Sequence, residues 1–103
     1  MPLDFQRKRV PFDTPLAGPQ TKNDAVFFGS NVNKAEVTIK AFKVDFKQFA
    51  ERMNALEITA RGSVDAPSNR NEVPFSVTIQ YSDQNANAQF TGFVEVVVIA
   101  DVQ

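Results

Sequence analysis

Apolar residues recur at every second position in stretch after stretch of this 103-residue chain, and that period, more than any motif, limits what it can fold into. Ala35, Val37, Ile39 and Ala41 alternate with Glu36, Thr38 and Lys40. Leu56, Ile58, Ala60, Gly62 and Val64 alternate with Glu57, Thr59, Arg61 and Ser63, and Phe75, Val77, Ile79 and Tyr81 with Ser76, Thr78 and Gln80. Successive side chains of a β-strand point to opposite faces, so each run predicts a strand with one apolar and one wet face. The parity changes at Ala41 and Phe42 and continues as Phe42, Val44 and Phe46, the mark of one extra residue in a β-bulge.

The stretch FKVDFKQFAERMNALEITARG, residues 42 to 62, is where a helix competes. Phe46, Phe49, Ala50 and Met53 fit one helical face for about two turns, a length too short to stand alone. The β-branched Ile58 and Thr59 and the alternation after them favour strand, so the segment reads as strand, short connection, strand. DAPSNRNE and SDQNANAQ are polar loops. The closing FTGFVEVVVIADV is apolar on both parities: Phe90, Val94, Val96, Val98 and Ala100 on one face, Phe93, Val97 and Ile99 on the other. Such a strand is either central between two layers or covered on its second face by another subunit, and in so small a protein the second is expected. Phe93, Val97 and Ile99 are accordingly the predicted oligomer contact.

The expected architecture is an all-β, small six-stranded antiparallel β-sandwich over residues 25–103, preceded by an irregular N-terminal arm or loop over residues 1–24. PFDTPLAGPQTKND, with three prolines, underlies the arm, and AVFFGS reads as a short strand after it. The ten phenylalanines are core or interface material. A chain of this length forms one domain that buries roughly two thirds of its unfolded surface.

Eleven basic against twelve acidic residues leave a net charge of −1, which argues against nucleic acid as a partner. The run RKR at 7 to 9 reads as three charges in a solvated arm. With neither cysteine nor histidine the usual transition-metal ligand sets are missing, and no cofactor is expected. No signal peptide and no membrane span is visible, so a cytoplasmic or virion-associated location is expected. Glu51, Glu57, Asp83 and Glu95 show no spacing that singles out a catalytic pair, and no histidine can act as base, so an enzyme is not expected.

VFFGSNVNKAEVTIKAFKVDF, then LEITARGSV, FSVTIQYSD and FVEVVVIA, an order covering roughly residues 25 to 100, resembles the H-type lectin domain of snail agglutinins and the C-terminal part of discoidins. The resemblance implies a β-sandwich that forms a homotrimer and binds N-acetylgalactosamine or a related sugar where subunits meet. The family's sugar-binding Arg falls on Glu57, and its Trp-His pair on Ser82 and Asp83, so the family's own ligand chemistry is replaced. Glu57, Ser82 and Asp83 are the sugar-binding candidates that the resemblance implies. Glu57 and Asp83 also read as solvated strand-end carboxylates, and Tyr81 as a core residue rather than a stacking platform. Two functions follow as expectations: an oligomeric, lectin-like carbohydrate-binding module with its site at subunit interfaces, and a structural or assembly protein, such as a viral particle or tail component, that only oligomerises.

Overall fold

The structure is a computed structural model that describes residues 2–16, 18–46, 53–67, 69–83 and 89–103. It is all-β, with seven strands in chain order: β1 (Leu3–Leu16), β2 (Gln20–Phe27), β3 (Val32–Phe46), β4 (Met53–Arg61), β5 (Ser63–Val64), β6 (Glu72–Asp83) and β7 (Phe90–Val102). They form two antiparallel sheets, one of order β1-β7-β3-β5 and one of order β2-β6-β4. The helical stretch expected between Phe46 and Met53 falls on residues 47–52, outside the described residues.

Two expectations are corrected. Residues 1–24 are not an irregular arm, because residues 3–16 form β1 along the edge of the four-stranded sheet and Gln20 opens β2. Val10 and Phe12, on one parity of β1, reach the core at 2% and 0% exposure, and that burial holds the segment down. Pro11 is tolerated because β1 pairs on one side only, where a missing N–H need not break a ladder bond. The described residues form seven strands rather than six, since the run from Leu56 to Val64 is also not one strand. Its chain leaves the three-stranded sheet at Gly62 and joins the four-stranded sheet as β5, opposite Ala35 and Glu36. A Cβ built on Gly62 would lie 2.7 Å from the Pro74 carbonyl oxygen and 2.8 Å from Phe75 Cβ. Only a residue without a side chain crosses there undisturbed.

The core lies between the sheets. Val94, Val96, Val98 and Ala100 of β7 and Val77 and Ile79 of β6 are fully buried, joined by Val26, Val32, Val73 and Phe75. At one end Phe46, Tyr81 and Phe90 close the core edge to face, with ring centroids 5.3 Å apart for Phe46–Tyr81 and 5.7 Å for Tyr81–Phe90. Tyr81 is therefore a packing residue. The parity change in β3 is a register shift between Ile39 and Ala41, so the extra residue is Lys40. Among the described residues no helix is long and apolar enough to cross a membrane.

Candidate functional site

Each sheet also presents an outer face, and the two differ in chemistry. On the four-stranded sheet, β7 is flanked on both sides, and its inner residues Phe90, Val94, Val96, Val98 and Ala100 are fully buried while Phe93, Val97 and Ile99 are half-buried on the outside. Backbone register then decides their neighbours. Pro11 lies opposite Phe93, Arg9 opposite Glu95, Arg7 opposite Val97, Phe5 opposite Ile99 and Leu3 opposite Asp101. From the other side β3 adds Thr38 opposite Val97, Glu36 opposite Ile99 and Lys34 opposite Asp101. The predicted contact residues thus share one face, as alternation required.

Leu3 and Phe5 enlarge that face, and sequence reasoning missed them. They are 63% and 57% exposed, the barest apolar side chains on it. The signal was present in LDF, two apolar residues on one parity, and prolines and charges nearby disguised the strand. Phe93 differs from its companions because the Arg9 guanidinium stacks on its ring, 4.1 Å from the centroid. Arg9 also lies 3.7 Å from Glu95, whose other oxygen is 3.3 Å from Lys40 Nζ. Glu95, at 20% side-chain exposure, thereby ties β1, β7 and β3 together across this end of the face.

Towards the other end the face sinks into an open trough of about 460 Å3 that Leu3 and Ile99 line together with Lys34, Glu36 and Asp101. Here Asp101 Oδ1 is buried and has no hydrogen-bond partner. Among the described residues Arg7, Lys34, Glu36 and Asp101 make no ion pair, so this end holds charges that its own fold leaves unanswered.

The three-stranded sheet has a polar outer face. Glu57 lies opposite Gln80, Thr59 opposite Thr78 and Arg61 opposite Ser76, and these six residues line a shallow concavity of about 380 Å3. Gln80 Nε2 donates to one Glu57 oxygen at 3.4 Å and the Thr59 hydroxyl to the other at 3.3 Å, which fixes the carboxylate. The row continues to β2, where the Thr21 and Thr78 hydroxyls are 2.9 Å apart. Arg61 makes no ion pair among the described residues.

Of the sugar-binding candidates, Glu57 stands in the polar concavity. Ser82 and Asp83 are placed as backbone near the end of β6, in register with Ala55 and Met53. Glu57 and the set Phe93, Val97 and Ile99 lie on opposite outer faces of the molecule, so the predicted sugar residue and the predicted contact are not brought together. Among the described residues no three His, Cys, Asp or Glu side chains are grouped so as to hold a metal ion. Comparison with protein-family models, curated proteins and solved structures finds no match for this chain, so its two faces speak for themselves.

Proposed function

We propose that this protein is a small β-sandwich building block that assembles with copies of itself through the outer face of its four-stranded sheet. The observation that carries the reading is the exposure of Leu3 and Phe5 beside the half-buried Val97 and Ile99, a contiguous apolar strip in water. Fully burying such a side chain stabilises by about 1.5–3 kcal/mol. Two copies of Leu3 and Phe5, each more than half bare, therefore contribute roughly 4–7 kcal/mol, near the lower end of the 4–15 kcal/mol that association costs. Self-association is accordingly weak and concentration-dependent. Light scattering over a dilution series from millimolar to micromolar protein tests it. A mass that rises with concentration, and falls back when Phe5 and Ile99 are replaced by Ser and Asn, is the expected result; a monomer throughout removes the proposal. The same experiment reads stoichiometry, including the homotrimer that the lectin resemblance implies.

A second reading, a lectin-like carbohydrate-binding module, is favoured by one feature, the polar concavity around Glu57. A carboxylate held by Gln80 and Thr59 accepts hydrogen bonds from sugar hydroxyls, with the Ser76 and Thr78 hydroxyls alongside. Aromatic stacking is not part of this site, because Tyr81 is packed against Phe46 and Phe90. Recognition would rest on hydrogen bonds alone, on the open face of the three-stranded sheet rather than at the apolar contact. A glycan array with the native chain and Glu57→Ala decides: binding lost in the variant supports the reading, and no binding by either chain removes it. Neither reading includes catalysis, a cofactor or nucleic acid.

A further inference from the structure

We infer that the self-contact is a two-fold pair whose axis crosses the strands at the Phe5–Ile99 row, with the Arg7 of each copy set against the Asp101 of the other. This rests on the proposed assembly and assigns its partner surface, its register and its charge pair.

One copy leaves two opposite charges on this face unanswered. Asp101 lines the trough beside Leu3 and Ile99, and one of its carboxylate oxygens is buried without a partner among the described residues. Buried carboxylate oxygens ordinarily find a donor, and one left bare is costly. Arg7 is an exposed guanidinium on the same outer face that makes no ion pair among the described residues. The two do not meet within one copy. Arg7 belongs to the Val97 row and Asp101 stands four residues further along β7, at about 3.4 Å per residue roughly 14 Å away.

Midway between those rows lies the row of Phe5, Ile99 and Glu36. A two-fold axis in the plane of the face, running across the strands at that row, exchanges the Arg7 row of one copy with the Asp101 row of the other. Strand positions across the sheet are unchanged, so β1 faces β1 and β7 faces β7. Phe5 then packs on Phe5 and Ile99 on Ile99, and Arg7 arrives over Leu3, one strand spacing from Asp101. A single operation buries the barest apolar residues and brings a guanidinium to the trough that each Asp101 carboxylate lines. Exchange of unlike patches is what an isologous contact requires.

Area agrees. The axis lies three residues from the end of β7, so the copies overlap over about seven residues, roughly 24 Å, and four strands span roughly 19 Å. The overlap is about 450 Å2 per copy, about 900 Å2 in all, just under the roughly 1,000 Å2 that a stable specific contact clears and in keeping with weak association. One contact is unfavourable. The two copies of Glu36 meet in the central row, each one row from the Lys34 of the other copy.

Charge exchange tests the register on the full chain. Sedimentation equilibrium would compare native protein with Arg7→Asp, Asp101→Arg and the double variant. Each single change is expected to raise the dimer Kd at least tenfold, and the double variant to return it to within about threefold of native. Glu36→Gln is expected to tighten the pair severalfold, most at low salt. Native association indifferent to Arg7→Asp, or a double variant no better than the singles, overturns this register and leaves the assembly reading standing. A native chain that stays monomeric overturns both. Should Asp101→Arg not fold, a double-mutant cycle with Arg7→Gln and Asp101→Asn replaces it, and additive effects of those two changes overturn the pairing.

Discussion

Single side chains in this molecule fall into two energy classes, and the difference decides which substitutions matter. Phe90 is fully buried and packs on both Phe46 and Tyr81, with centroids at 6.1 and 5.7 Å. Truncating a buried phenylalanine removes its transfer energy and leaves a cavity, about 3–5 kcal/mol in all. Phe90→Ala is therefore expected to lower the denaturant midpoint sharply or to prevent folding, read by circular dichroism in urea. Glu95 looks more connected, with Lys40 and Arg9 at 3.3 and 3.7 Å, yet those partners are 45% and 62% exposed. Ion pairs in that setting give about 0.2–1 kcal/mol each. Glu95→Ala is expected to cost under about 2 kcal/mol, and the difference from native should shrink in molar salt. A loss as large as that from Phe90→Ala would mean that the Glu95 cluster, with Arg9 on Phe93, holds the four-stranded sheet together.

Strands are legible in a chain like this wherever the alternation is uninterrupted, which is why β3, β6 and β7 and the bulge at Lys40 follow from residue order. The two faces of β7 are the clearest case, since the parity that holds Val94, Val96 and Val98 is fully buried and the parity that holds Val97 and Ile99 is not. What alternation does not encode is the sheet to which a residue belongs. Leu56 through Val64 keeps one period through Gly62, but the chain changes sheets there, because period two survives a step from one hydrogen-bonded partner to another. β1 was hidden for a different reason: an edge strand needs only half its ladder and so admits prolines and charges that read as loop. The separation of Glu57 from the apolar contact was illegible likewise, since it follows from sheet membership. Gly62 gives this a test. A side chain there must displace the Pro74 carbonyl and Phe75, a crowding that costs about 1–3 kcal/mol. Gly62→Val is expected to lower stability by that amount and to speed hydrogen exchange at the amides of β5 and of its partners Ala35 and Glu36, sooner than in β7. Uniform acceleration throughout the chain would show that the crossing is not a local weak point.

At the scale of the whole molecule the strands are long and few, and the body measures 50 × 20 × 18 Å with a radius of gyration of 15.9 Å. A compact chain of about 100 residues has a radius near 13 Å, so much of this one lies close to a surface. Two broad outer faces result, and water treats them differently: one is lined with hydroxyls, an amide and charges, the other exposes Leu3 and Phe5. The long dimension also separates modes of association that mass alone does not. Full overlap of two copies would leave the longest dimension of the pair near that of one copy. Pairing about the Phe5–Ile99 row overlaps only about 24 Å, so two 50 Å bodies extend to roughly 75 Å. Small-angle scattering across a concentration series is expected to show the maximum dimension growing by about half as mass doubles. If mass doubles while the maximum dimension stays near its single-copy value, the faces stack along their whole length, and Asp101 must find its donor elsewhere or remain without one.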